Sequence, residues 1–235
     1  MTDVPAGRPD LAETFAPVEA VLPPVPVVPA SVGVLGGTFD PIHHGHLVIA
    51  EEAREALGLE RVLFMPAAAP PHKPGRPVTT PEHRLAMVRL AVAGNPAFEV
   101  SAAEIERGGT SFTVDTLDGL RAGGLVEPWL ILSSEALAGF PTWREPSRIL
   151  DLGRLAVVPR GGHDALGAAW FAERFPGRED RVRFLSGPLL PISGSVVRRR
   201  AAAGRSVRYL VPDPVARYIA DHALYADPAW RMQNL

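Results

Sequence analysis

The sequence predicts an α/β fold, a doubly wound parallel sheet of Rossmann-like type, and three observations predict it. Short apolar runs recur six times from Ser31 onward. The segments between them carry apolar residues at helical spacing. The first run leads directly into the glycine pair Gly36-Gly37. Strand-length runs alternating with helices imply crossover connections, and crossovers produce parallel strands with helices on both faces.

The first strand is expected over residues 32–35, Val-Gly-Val-Leu, and the helix after the glycine turn over 44–57, amphipathic from Leu47 to Leu57. A second strand follows at 62–65 and a helix at 81–93. Thr80 precedes Pro81 there, a capping side chain before a proline at the first helical position, and Gly94 marks the stop. The third strand is read at 98–101, with a helix over 114–122 ending at Gly123. Residues 129–132, Trp-Leu-Ile-Leu, are apolar without alternation, as suits a central strand covered on both faces. A short helix near 145–150, a strand at 155–158, a helix at 165–174 and a strand at 182–185 continue the alternation. Helices at 195–203 and 214–221 close it, the last behind Asp213-Pro214 as another cap-and-proline start. Ligands of such sheets lie beyond the carboxyl ends of the strands, where the glycine turn falls.

Three regions follow. Residues 1–30 carry seven prolines (Pro5, Pro9, Pro17, Pro23, Pro24, Pro26 and Pro29) and no periodic pattern, which predicts a disordered or polyproline-like extension. Their apolar part is broken by proline, and acidic residues outnumber basic ones before it, so neither a signal peptide nor a membrane span is expected. Residues 31–226 are expected to form the α/β domain, and residues 227–235 a tail without assignment.

The formal net charge of -2 provides no global field for nucleic acid or an anionic membrane, so neither is expected as a partner. Zero cysteines exclude disulfides and thiolate metal sites and agree with a cytoplasmic protein. Of 24 basic residues one alone is lysine, Lys73, in the loop Pro70-Pro71-His72-Lys73-Pro74-Gly75. A compact, flexible ammonium retained against such an arginine bias points to a specific task.

The chemistry concentrates in Gly36-Gly37-Thr38-Phe39-Asp40-Pro41-Ile42-His43-His44-Gly45-His46-Leu47. Glycines let the backbone approach a ligand closely, and a helix N-terminus offers unpaired N–H groups and partial positive charge to phosphate. His43 and His46, at i and i+3, share one face. A second phosphate candidate is Pro191-Ile192-Ser193-Gly194-Ser195-Val196-Val197-Arg198, where hydroxyls open a helix and an arginine follows in its first turn.

The first of these stretches resembles the signature of the nucleotidyltransferase superfamily, His or Thr, any residue, Gly, His. Its longer form, GGTFDPIHxGHL, is similar to that of the bacterial nicotinate-nucleotide adenylyltransferases. The resemblance implies a sheet of nucleotidyltransferase type and the transfer of AMP from ATP to nicotinate mononucleotide, giving deamido-NAD and pyrophosphate. It implies His43, His46, Lys73 and Arg198 as catalytic residues. It places ATP on Gly36, Gly37, Thr38, Phe39, His43, His46, Ser193, Ser195, Arg198 and Glu135. Nicotinate mononucleotide falls to Thr38, Lys73, Arg84, Phe112, Thr113, Trp143 and Glu135. Residues 110–117, Thr-Ser-Phe-Thr-Val-Asp-Thr-Leu, are similar to the family's Ser-Tyr-Thr-x-Asp-Thr-Leu, and Thr113 is expected to cap the helix that follows. Trp143 matches the residue that stacks on the nicotinate ring, and a flat aromatic face suits a cationic pyridinium. Mg2+ is implied with ATP, carried mainly by substrate oxygens.

The chain departs from the family pattern in two places. Gly194 stands where the closing motif Ile-Ser-Ser-Thr-x-Ile-Arg has its second serine. Ser133-Ser134-Glu135-Ala136-Leu137 stands for Gly-x-Asp-x-Leu, so Glu135 keeps the carboxylate on a longer arm. Two other readings compete: another adenylyl or cytidylyl transferase, such as the phosphopantetheine enzyme, or a metal-dependent hydrolase built on His43, His44 and His46. Helical zinc pairs sit at i and i+4 with a glutamate between them, a spacing these histidines lack. A homodimer is admitted but announced by no residue, and none announces a preference for the acid mononucleotide over the amide.

Overall fold

The computed structural model describes residues 31–70, 78–159, 166–227 and 230. The expectations for the N-terminal extension and for Lys73 therefore lie outside the described residues.

Six strands form one parallel sheet: β1 (Val32–Gly37), β2 (Arg61–Pro66), β3 (Phe98–Val100), β4 (Trp129–Ser133), β5 (Arg154–Val158) and β6 (Val182–Phe184). Their order is β3-β2-β1-β4-β5-β6, with every neighbouring pair parallel. The strands alternate strictly between two cores. Leu35, Phe64, Ile131, Ala156 and Val158 face one side, and Val34, Leu130, Leu132, Leu155 and Val157 the other. A two-residue period with both faces apolar explains why the runs read as uninterrupted in sequence.

On the first face lie α1 (His44–Leu57), α2 (Pro81–Val92), α8 (Gly194–Ala202) and α9 (Asp213–Asp221), contributing Ile49, Ala53, Met87, Val88, Val197, Val215 and Ile219. On the second lie α4 (Thr113–Ala122), α5 (Ser134–Gly139), α6 (Pro146–Leu152) and α7 (Ala168–Arg174), with Val114, Leu117, Leu137, Ile149 and Phe171. The short α3 (Ala103–Arg107) precedes α4. Each such side chain removed from water stabilises the fold by roughly 1.5–3 kcal/mol. No helix among the described residues is long and apolar enough to cross a membrane.

Helix α1 ends as its sequence dictates. Gly58 takes the left-handed conformation (φ 61), and the Leu59 N–H returns to the Arg54 carbonyl at 2.8 Å. Three expected caps are corrected. Asp213 lies inside α9, after Pro212, and Thr113 inside α4, after Phe112; neither α9, α4 nor α2 receives a side-chain cap bond at its start. For α9 and α4 the residue before the helix falls one position earlier than the carboxylate or hydroxyl suggested, whereas Thr80 stands before α2 as expected without its side chain capping the helix. Ser133 and Ser193 do cap, accepting from Ala136 N at 3.2 Å and Val196 N at 3.3 Å.

The chain winds from β1 to β2 and β3 in one direction, and from β4 to β5 and β6 in the other. A crevice therefore opens between the carboxyl ends of β1 and β4, carrying Gly36-Gly37 on one side and Ser133 on the other.

Candidate active site

The turn leaving β1 crosses from sheet to helix in six residues. Phe39 adopts φ 49, a left-handed conformation that a bulky side chain rarely takes, and the Asp40-Pro41 peptide is cis. The Phe39 ring is buried, 5.0 Å from the His46 ring edge-on and 6.0 Å from Phe64. Phe39 was expected to bind ATP; its side chain belongs to the core, so a ligand could meet its backbone alone. The ring instead braces the histidine.

His43 is the N-cap residue of α1 and His46 the third residue of the helix. Their rings stack with centroids 3.7 Å apart and planes at 21°, so the i, i+3 spacing does put both on one face. The His43 backbone N–H donates to His46 Nδ1 at 3.2 Å. An Nδ1 that accepts leaves the proton of the neutral ring on Nε2, so the N–H donor of His46 is at Nε2. The same parallel stacking opposes a shared metal, since stacked rings aim their nitrogens side by side rather than at one point.

The second motif closes on this turn from the other side. Arg198 Nη1 donates to the Asp40 carbonyl at 2.5 Å and Nη2 to Ser195 Oγ at 3.2 Å. A Cβ at Gly194 would stand 2.9 Å from the Asp40 carbonyl oxygen. Glycine in place of the family's serine is thus what lets the start of α8 approach the start of α1. Two helix N-termini, with Ser193, Ser195, Arg198, His43 and His46, converge on one backbone turn although 158 residues separate Asp40 from Arg198.

Beside them lies a cavity of about 390 Å3 lined by Gly36, Gly37, Thr38, Phe112, Thr113 and Trp143 among others. Three segments predicted from scattered positions therefore form one slot, walled by two aromatic residues and floored by glycines. Arg144 also lines it, with its guanidinium carbon 4.9 Å above the Phe112 ring and Nη1 3.2 Å from Asp115 Oδ2. Sequence reasoning missed Arg144; its place next to Trp143 is the signal that could have found it. Glu135 sits exposed in the first turn of α5, at the carboxyl end of β4 but outside the residues lining the slot.

Arg84 needs correction. It is 0% exposed, and its guanidinium donates to three carbonyls, Thr79 (2.9 Å), Thr38 (2.8 Å) and Ala68 (2.9 Å). Burial lowers its pKa, and the nearby Asp40 carboxylate opposes that shift. A side chain with no exposed surface and every nitrogen committed holds the walls of the site and does not touch a mononucleotide.

Asp40 is the other half of this support. Its Oδ1 accepts from the Tyr225 hydroxyl at 2.7 Å and its Oδ2 from Thr79 N at 3.2 Å. Burial, and then the charge of Asp40, push the Tyr225 hydroxyl well above its ordinary value of 10.0. The unfolded chain loses this proton near pH 10 while the folded chain keeps it. Stability from this bond is therefore present below pH 10 and lost as pH rises beyond it. Tyr225→Phe should lower stability by about 1–2 kcal/mol at pH 8, with the deficit narrowing by pH 11. Denaturant midpoints across that range measure it, and a constant deficit would remove the linkage.

Residues 34–200 match the family model described as cytidylyltransferase-like. The chain is 53% identical over 196 residues to a protein of Roseiflexus sp. strain RS-1 named "Probable nicotinate-nucleotide adenylyltransferase", covering 83% of this chain and 98% of that one. A protein of the same name from Symbiobacterium thermophilum is 49% identical over 198 residues, covering 83% and 95%. Among solved structures, nicotinic acid mononucleotide adenylyltransferase of Plasmodium falciparum, complexed with NaAD, superposes with a TM-score of 0.70 at 16% identity, covering 83% of this chain and 97% of that one.

Proposed function

This chain belongs to the cytidylyltransferase-like family, among the nicotinate-nucleotide adenylyltransferases, and we propose how its residues divide the work of the reaction. It transfers AMP from ATP to nicotinate mononucleotide, giving deamido-NAD and pyrophosphate. The convergence of two helix N-termini on the Asp40 turn, next to the aromatic slot, carries the assignment of the two substrates.

The triphosphate lies over the starts of α1 and α8. The partial positive charge of the two helix starts, the Nε2–H of His46, the hydroxyls of Ser193 and Ser195 and the charge of Arg198 all favour phosphate oxygens. The pyridinium ring enters the slot between Phe112 and Trp143, with Thr113 and the Gly36–Thr38 backbone along its edges. Glu135 reaches from the end of β4 towards nucleotide hydroxyls, and Lys73 adds its charge from the loop after β2.

A phosphate oxygen of the mononucleotide attacks the α-phosphorus of ATP. The new P–O bond forms as the bond to the bridging oxygen of pyrophosphate breaks, and that oxygen leaves with the electron pair. A phosphate monoester carries roughly -1.5 to -2 charge at neutral pH, so the nucleophile requires no base. His43 and His46 therefore act as ring structures around a donor: His43 orients His46, and His46 donates to oxygen as charge develops. Magnesium enters as part of the ATP substrate, held mainly by phosphate oxygens. Among the described residues no three His, Cys, Asp or Glu side chains gather as a cage, and the donors present suit phosphate itself. A cysteine-free chain acting on free nucleotides suits the cytoplasm, and sedimentation of the purified protein decides between monomer and homodimer.

The test offers the protein MgATP with nicotinate mononucleotide, nicotinamide mononucleotide or phosphopantetheine and measures pyrophosphate. Release with the acid mononucleotide, at the highest kcat/KM of the three, is expected. Preference for phosphopantetheine, or release of phosphate from ATP with no acceptor present, would overturn the reading.

A further inference from the structure

We propose that Trp230, beyond the last helix, is a positioning residue that seats the Arg198 guanidinium for the ATP phosphates, a role that rests on the assignment of Arg198 to those phosphates. The Trp230 ring lies 5.3 Å from the guanidinium carbon of Arg198. The ring is itself fixed: it meets Tyr225 edge-on at 5.2 Å, its backbone N–H returns to the Asp227 carbonyl at 3.0 Å, and it packs on the core of the α1 face. Tyr225 in turn holds Asp40, whose carbonyl accepts from Arg198. The tail thus reaches one guanidinium by two routes, through the Asp40 turn and across the face of an indole.

Gly194 gives this arrangement its reason. A Cβ there would stand 3.2 Å from Arg198 Nη1 as well as against the Asp40 carbonyl. The family pattern has a serine at this position, so the chain lacks both the hydroxyl and the bulk that would confine the arginine from within α8. A planar cation between a carbonyl, the Ser195 hydroxyl and an aromatic face keeps one orientation without that serine. Attraction of guanidinium to indole favours that orientation before ATP arrives, so less freedom is lost when phosphate binds.

Steady-state kinetics of W230A, W230L, W230F, R198A and the double variant W230A/R198A test this, with a thermal melt of each. W230A and W230L should lose roughly fivefold to thirtyfold in kcat/KM for ATP, the range set by one half-buried cation–aromatic contact. The KM for nicotinate mononucleotide should stay within twofold. W230F should recover most of the loss, and on the R198A background W230A should add less than twofold. W230L, which keeps apolar bulk, carries the test if W230A does not fold. Wild-type ATP kinetics in W230L would overturn the proposal, as would an undiminished W230A loss in the absence of Arg198. R198A kinetics within twofold of wild type would instead remove Arg198 from the phosphate site, and the role of Trp230 with it.

Discussion

His46→Ala should turn over ATP and nicotinate mononucleotide roughly a hundredfold to a thousandfold more slowly than the wild type, the loss typical of one oriented donor to a developing charge and equivalent to about 2.7–4 kcal/mol. The size of the effect follows from how the donor is held. The Nδ1 of His46 accepts the His43 backbone N–H at 3.2 Å, Phe39 abuts its ring at 5.0 Å and the His43 ring stacks on it at 3.7 Å. Three contacts fix the direction of Nε2–H before substrate binds, so little reorganisation remains for the reaction itself. The fold should tolerate the change, since α1 loses one backbone bond at its start, worth about 1 kcal/mol. The loss should fall on kcat, with the KM for the mononucleotide within about threefold, because the slot of Phe112 and Trp143 is built from other elements. Stopped assays showing His46→Ala within twofold of wild type would end the role given to this residue.

The difference between what could be read from the chain and what could not has a physical basis. The central strands were legible because burial on both faces turns them into plain apolar runs, as Trp129-Leu130-Ile131-Leu132 in β4 shows. The edge strands β3 (Phe-Glu-Val) and β6 (Val-Arg-Phe) were legible as short alternating segments with one exposed charge each. Helix α1 was legible from its amphipathic segment between Leu47 and Leu57, whose buried face the structure shows to be Ile49, Ala53 and Leu57. Helices α3 and α5, of five and six residues, were not; they are too short for a helical period to repeat. The phosphate motifs were visible as local signatures, whereas their meeting at the Asp40 carbonyl spans 158 residues and could not be seen. Trp230 had no local signal at all. Its significance lies wholly in the side chains that the fold brings beneath it.

Arg84 shows the same limit from the opposite side, and its replacement should produce the largest loss of stability. In sequence it is an arginine in the first turn of a helix, where solvent or substrate is the ordinary partner. In the fold it joins the end of β1, the end of β2 and the approach to α2 through the carbonyls of Thr38, Ala68 and Thr79, at sequence separations of 46, 16 and 5. Arg84→Ala leaves three carbonyls without their donor, opens a cavity where a fully buried side chain stood, and removes the positive charge near Asp40. Losing one partner from such a buried charged arrangement costs about 3–5 kcal/mol, and a deficit of at least about 4 kcal/mol is expected here. Against a typical total of about 5–15 kcal/mol, that leaves a barely folded protein. Arg84→Lys should recover part of the deficit but not most of it, because one ammonium cannot reach three carbonyls that a planar fork reaches in different directions. Equilibrium denaturation gives the stability, and KM for nicotinate mononucleotide separates the roles. A strut loses stability first, with KM little changed in whatever fraction remains folded. An Arg84→Lys variant of native stability with a strongly raised KM would mean that the guanidinium meets substrate after all.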